Sequence, residues 1–211
     1  MDCLEFMRSL PDKFFDLTIA DPPYGSSIMA KNKYQRHKTT DSSYRNKTIP
    51  KDDFFRELER VSVYTIIWGC QYMMPHLNPN GSFIIWDKCA DPDLHNMSAC
   101  DVAWYSKRDK IRKFKGHWCG AVKCETEATI HIHQKPVMLY KWLLSKYAKT
   151  GYKIFDPHMG SQSSRVAAHV MGFDYWRCEI DEKHFNDGCK RFNLISTQSF
   201  LPFEEAKKLI S

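Results

Sequence analysis

Four consecutive residues, Asp21-Pro22-Pro23-Tyr24, follow the apolar run Leu17-Thr18-Ile19-Ala20. Proline donates no backbone hydrogen bond and holds the chain extended, so the local carbonyls stay free to accept. Asp21 adds a second acceptor, and Tyr24 offers a flat face for stacking. Two acceptors beside a ring suit an exocyclic amine on a flat heterocycle, and open α/β sheets place ligands at the C-terminal ends of their strands. An ordinary strand running into a Pro-Pro turn has the same composition. What separates the two readings lies far downstream.

The second group runs Ile154-Phe155-Asp156-Pro157-His158-Met159-Gly160-Ser161-Gln162-Ser163-Ser164 and continues into Arg165–Met171. It reads as a short apolar strand, a small-residue turn and a helix, an arrangement that lets a ligand approach backbone and helix N-terminus. A second strand over 172–181 ends in Glu179 and Asp181. An acid about 20 residues beyond a glycine turn is where nucleoside-binding βαβ units hold a ribose diol. The dinucleotide fingerprint G-x-G-x-x-G is absent, so the signal is for a nucleoside cofactor of another kind.

The elements that must position these residues alternate as in a doubly wound α/β fold. Helices are expected over 2–10, 52–61, 71–77, 136–148 and 182–192, and a buried strand over 63–68. At 211 residues the chain is expected to form a single domain over 1–211. The net charge of +6 favours an anionic partner. No leader peptide or long apolar span is visible, so a cytoplasmic protein without a membrane segment is expected. In that setting the eight cysteines are expected to be reduced, packed thiols.

Two segments are polar and basic. Residues 25–48 carry Lys31, Lys33, Arg36, Lys38, Arg45 and Lys47 against one acid, Asp41. Residues 107–130 open with Lys107, Arg108, Lys110, Arg112, Lys113 and Lys115, interleaved with Phe114, His117 and Trp118. Both patterns fit phosphate contact, and the first segment lacks periodicity, as long loops that are functional or disordered do. Cys119, Cys124, His131 and His133 lie in the same region, but their spacing departs from the common zinc patterns, and no metal is expected.

Taken in order, DPPY, His131-Ile132-His133-Gln134-Lys135-Pro136, DPHMGSQSS and Cys178-Glu179-Ile180-Asp181 resemble the S-adenosylmethionine-dependent DNA amino-methyltransferases with permuted, β-type motif order. Ile67–Tyr72, Gly81–Lys88 and Asp101–Ser106 resemble stretches between those motifs. The resemblance implies a Rossmann-like methyltransferase fold in which Asp21, Pro22, Pro23 and Tyr24 are catalytic and a target base is flipped out of DNA. It carries Asp156, His158, Gly160, Ser161, Gln162, Ser163 and Ser164 to the methionine part of the cofactor. Glu179, with Asp181, goes to the ribose, and Lys135 to the strand–helix entry around the cofactor. Asp2-Cys3-Leu4 resembles a segment near the cofactor adenine, with a helix-cap aspartate as the alternative reading of Asp2. The aspartate form of the tetrapeptide goes mostly with adenine N6, and the serine form with cytosine N4. Double-stranded DNA is the implied partner, with 25–48 closing over DNA or cofactor, 107–130 recognising the target, and a homodimer compatible with so small a recognition segment.

This sequence departs from the family pattern in two places. His158 replaces an aromatic residue, and Gln162 replaces a glycine. A left-handed backbone at Gln162 would cost about 1–2 kcal/mol and would crowd the cofactor with its side chain, or else the side chain would bind the methionine end. The chain also begins at the Asp2-Cys3-Leu4 segment, so the strand that precedes it in the family is expected to be missing or truncated. The alternatives are cytosine-N4 or single-stranded nucleic-acid methylation through the same site, and a DNA-binding relic with impaired cofactor binding.

Overall fold

Phe15, Leu17 and Ala20 are fully enclosed, and Ile19 nearly so, which makes strand β1 (Phe15–Ala20) buried on both faces. A continuous apolar run of that kind is what a central parallel strand requires. The computed structural model describes residues 1–23, 48–89, 98–119, 122–123, 130 and 134–198. Tyr24 lies outside the described residues, as do Lys31, Lys33, Arg36, Lys38, Arg45, Cys124, His131 and His133.

After β1 the chain passes through helix α2 (Asp52–Val61) into β2 (Ser62–Trp68), which lies parallel to β1. Phe54, Phe55, Leu58 and Val61 fall on one side of α2 and are buried, the spacing of an amphipathic helix. Then come β3 (Ser82–Asp87), β4 (Cys100–Tyr105), β5 (Arg112–Lys115) and a small hairpin of β6 (Trp118–Cys119) and β7 (Val122–Lys123). Helix α3 (Val137–Tyr147) leads back to β8 (Lys153–Asp156), and α4 (Ser163–Val170) joins it to β9 (Asp174–Arg177). Helix α1 (Cys3–Arg8) precedes β1, and α5 (Glu182–Gln198) follows β9.

Seven strands form one sheet in the order β5-β3-β4-β2-β1-β8-β9. Every neighbouring pair is parallel except those made by β4, which runs against β2 and β3. One core cluster joins Leu17, Ile19, Ile66 and Trp68 to Leu139, Leu143 and Val166 of α3 and α4. The other joins Phe15, Ile67 and Phe155 to Met7, Phe54 and Leu58 of α1 and α2. Helices therefore cover both faces of the sheet, the doubly wound α/β arrangement.

Three sequence expectations change. Residues 71–77 do not form an α-helix but two short 3₁₀ turns, Cys70–Tyr72 and Met74–His76. Gly69 enters them at φ 67°, and Pro75 lacks the N–H that an α-helix through this stretch needs. Helix α5 continues past Phe192 to Gln198, where the Ser196 and Thr197 hydroxyls bond the Asn193 carbonyl. The thiol expectation also fails at Cys89. Cys3, Cys70, Cys100, Cys178 and Cys189 are free, but Cys89 is disulfide-bonded.

Candidate active site

Strand β1 pairs with β8 through Leu17↔Ile154 and Thr18↔Phe155, so the chain just past Ala20 emerges beside the chain just past Asp156. These two segments lie far apart in sequence, yet they share the C-terminal edge of adjacent parallel strands. On the other side of β1 the chain runs on to β2, so the β1–β8 seam is a point where the strand order reverses, the usual place for a ligand in such sheets. Asp21 and the buried Pro22 stand on this edge.

The Lys135 ammonium is ion-paired with the Asp21 carboxylate. Lys135 is only 6% exposed, and the face of Trp68, at the end of β2, lies 5.6 Å from its ammonium. The residues on either side of it are fixed. The indole of Trp118 donates to the Gln134 carbonyl at 2.7 Å, the Gln134 side chain accepts from the Ile130 N–H at 3.1 Å, and Pro136 opens α3. The resemblance carried Lys135 to the cofactor entry, and the structure places its ammonium on the Asp21 carboxylate.

Asp156, 3% exposed, accepts from Ser164 Oγ at 2.5 Å, from the His158 N–H at 3.0 Å and from the Tyr175 hydroxyl at 3.4 Å. Burial pushes its carboxyl up to about 6, against the opposing effect of the Ser164 and His158 bonds, and the charges of Asp21 and Glu179 push the same way. Tyr140 on α3 is buried close by and Tyr175 on β9 is half-buried, and desolvation holds both phenols well above their usual range. Neither tyrosine was distinguishable by sequence from an ordinary core residue.

The turn that follows is tied to β9 and α5. Glu179 accepts from the Gly160 N–H at 3.1 Å through one carboxylate oxygen and from the Asp181 N–H at 3.0 Å through the other. Gly160 has φ 43° and Gln162 has φ 62°, so the left-handed backbone is present at the glutamine. Its side chain is fully buried and lies against α5. Nε2 donates to the Phe185 carbonyl and contacts Cys189 Sγ, both at 3.3 Å, while Oε1 accepts from Arg165 at 2.8 Å. Gly188 makes room for it, because a Cβ there would come within 2.7 Å of the glutamine. Arg191, also on α5, donates to the Ser161 carbonyl at 2.6 Å and to Ser163 Oγ at 3.3 Å. Nothing near Arg191 in sequence signals that role.

Asp2 caps α1, its Oδ1 accepting from the N–H groups of Leu4 and Glu5 at 2.8 and 3.1 Å. The Met1 amino group donates to the Glu179 carbonyl at 2.9 Å, which brings α1 to the same edge. Cys3 is partly buried, and burial pushes its thiol up to about 11. The ring of His158 lies 5.4 Å from that of Phe54. Among the described residues no group of three or more His, Cys, Asp or Glu could hold a metal ion, and no helix is long and apolar enough to cross a membrane.

The described basic residues divide between the two edges of the sheet. Because β4 is antiparallel, Tyr105 pairs with Ser82 at the start of β3, and the turn after it lies at the edge opposite Asp21. Lys107, Arg108 and Lys110 are in that turn. Lys107 lies over the Tyr64 ring at 5.4 Å, and Arg112 faces Asp109 at 3.4 Å and the Tyr147 ring at 5.9 Å. Strand β5 then returns to the near edge, where Lys115 is in register with Asp87 at the end of β3. Lys113 pairs with Asp87 at 3.3 Å, and Lys123 lies over Trp118 at 5.0 Å.

No protein-family model matches the sequence, and no curated protein matches it. Solved structures do match by shape. One is the M1.HpyAVI–SAM complex, with a TM-score of 0.59 at 16% identity over 92% of this chain and 97% of that one. TTHA0409 of Thermus thermophilus, complexed with S-adenosyl-L-methionine, gives 0.58 at 15% identity over 90% of both chains. The cytosine-N4-specific PvuII DNA methyltransferase gives 0.60 at 10% identity over 96% of this chain and 85% of that one. At these identities the likeness carries the fold, the α/β Rossmann-like fold of methyltransferases.

Proposed function

We propose that this protein is an S-adenosylmethionine-dependent DNA methyltransferase acting on the exocyclic amine of adenine, N6. The observation that carries the reading is the β1–β8 seam, which sets the Asp21-Pro22-Pro23 acceptors beside the turn from Asp156 to Ser164. The shape likeness to chains solved with that cofactor supports it.

The residues present fit the cofactor. A buried carboxylate pushed up to about 6 is a site that gains from an incoming cation, and Asp156 would hold the methionine ammonium. Glu179, already accepting two N–H donors, would take the ribose hydroxyls, and the turn through Gly160 would lie along the methionine. When bound, the cofactor supplies an electrophilic methyl on a sulfonium.

This chain's own residues do the rest. Asp21 and the Pro22 carbonyl accept the two amino hydrogens, which favours a pyramidal nitrogen and builds density on a lone pair otherwise delocalised into the ring. Transfer of the cofactor's methyl group would leave the nitrogen cationic, and Asp21 or solvent would take the one proton it releases. The gain comes from positioning and from dipoles fixed in advance. A base in a duplex must be flipped out to reach this edge, at a cost of a few kcal/mol, and Tyr24 is placed by sequence to recover about 1–3 kcal/mol by stacking. Adenine is favoured over cytosine by the aspartate form of the tetrapeptide. The cytosine-N4 reading keeps the same geometry.

Transfer of a labelled methyl group from S-adenosylmethionine to unmethylated duplex DNA, single-stranded DNA and RNA tests the substrate class. Label retained on duplex DNA above the other two is the expected result. Label on RNA alone, or on none of the three, would refute the proposal.

A further inference from the structure

Among the buried charges at this edge, Lys135 has no role in the mechanism above. Its ammonium sits between the Asp21 carboxylate and the face of Trp68, and it is more deeply enclosed than the acid it pairs with. Long cationic side chains are rarely so buried unless paired. The backbone that carries it is held by Trp118 on one side and by the start of α3 on the other, so the ammonium is delivered to Asp21 from a rigid strap.

Resting on the methyl-transfer reading, we propose that Lys135 is a positioning residue for that reaction: its ammonium keeps Asp21 ionised and fixes the carboxylate so that one oxygen stays aimed at the target amine. The surroundings make such a partner necessary. Facing Asp21 are Asp156 from β8, whose carboxyl feels the Asp21 charge, and Tyr140 from α3, whose phenol feels it too. Glu179 acts on Asp156 from beyond β9, and Tyr175 acts on Tyr140. Every titratable group named there except Lys135 is neutral or negative. In such company a partly buried carboxylate drifts to its protonated form, and a protonated Asp21 can present a hydroxyl where the amine needs an acceptor. Lys135 takes no proton during the transfer. It neutralises Asp21 before the positive cofactor arrives, and it divides the acid's two oxygens between a fixed task and a catalytic one.

The test compares wild type, Lys135→Met and Lys135→Arg in single-turnover methylation from pH 6 to 9.5, with saturating cofactor and DNA. Methionine retains the stem against Trp68 without the charge. Lys135→Met should be slower by about a hundredfold at pH 7.5, the scale of removing one fixed electrostatic interaction, and should recover toward wild type as pH rises. Lys135→Arg should keep most of the activity. The limb due to Asp156 is common to all three proteins, so the displacement between profiles is what is read. Cofactor affinity, measured by calorimetry, should stay within a few-fold of wild type. A Lys135→Met deficit that is the same at every pH, or that follows cofactor affinity, or no deficit at all, would overturn the proposal.

Thermal melts of Asp21→Asn, Lys135→Met and the double variant separate the pairing from the reaction. The double variant should melt above the sum of the two single losses, and strict additivity would remove the pair itself. If wild type methylates no DNA, the methyl-transfer reading falls and the catalytic use of Lys135 falls with it, whatever the melts give.

Discussion

At the scale of single residues, Asp156 carries the most readable physics. Its carboxyl has an ordinary value of 3.8 and is pushed up to about 6. The native state therefore holds that proton more tightly than the unfolded chain does. The contribution to stability is complete below the unfolded value and is lost as pH rises through about 6, a swing of about 3 kcal/mol. Wild type measured against Asp156→Asn should lose about 6–12 °C of relative melting temperature between pH 4 and pH 7.5. Parallel curves would contradict this. Binding of a cation restores what ionisation costs, so cofactor affinity should rise through the same window in wild type and stay flat in the variant. That Asp156 and Glu179 would meet at one sheet edge was legible in the strand, turn and helix pattern between them. The burial of Asp156 was not, because it depends on Tyr140 and Tyr175, which reach it from separate elements.

At the scale of elements, α5 supports the turn that the sequence assigned to the cofactor. Gln162 adopts the left-handed backbone that a glycine would take without strain, which costs about 1–2 kcal/mol. Against that stand two buried polar contacts beyond its pairing with Arg165, each worth about 1 kcal/mol, together with the packing against Gly188. Gln162→Gly should therefore destabilise by about 1–2 kcal/mol and leave cofactor affinity within a few-fold of wild type. Gly188→Ala should destabilise by about 1–3 kcal/mol through overpacking. The two changes combined should cost less than their sum, because the new methyl occupies space that the glutamine vacates. Chemical denaturation of the four proteins gives all three values, and additive losses would refute the packing account. In sequence the glutamine showed as a departure from a glycine pattern, and a left-handed backbone was one of two alternatives it left open. The direction of the side chain was not, since it is set by a helix about twenty residues on. The same holds for 71–77, where apolar spacing suggested a helix and Pro75 decided otherwise.

At the scale of the whole molecule, the sheet sorts charge by edge. A six-residue strand such as β4 spans roughly 17–20 Å, so the turn with Lys107, Arg108 and Lys110 cannot meet the same nucleotide as Asp21. The sequence showed a basic segment at 107–130. It did not show that one antiparallel strand splits that segment, because strand direction follows from pairing partners far away in the chain. Lys115→Ala and Lys123→Ala should each weaken DNA binding and lower the salt slope of log K by about 0.9 for each phosphate left without its cation. Lys107→Ala and Lys110→Ala should leave the slope unchanged, as read by fluorescence titration over a range of salt. Equal effects from both pairs would place DNA across the opposite edge. Apart from 71–77, β5 and the β6–β7 hairpin, the alternation of strand, turn and helix was legible in the sequence. The seam between β1 and β8 was not, and the proposed chemistry depends on it. The most direct test of that chemistry is mass spectrometry of nucleosides from unmethylated genomic DNA treated with the protein and S-adenosylmethionine, with Asp21→Ala run in parallel. N6-methyladenine is expected with wild type and none with the variant. N6-methyladenine that persists in Asp21→Ala, or no methylated base in either digest, would contradict it.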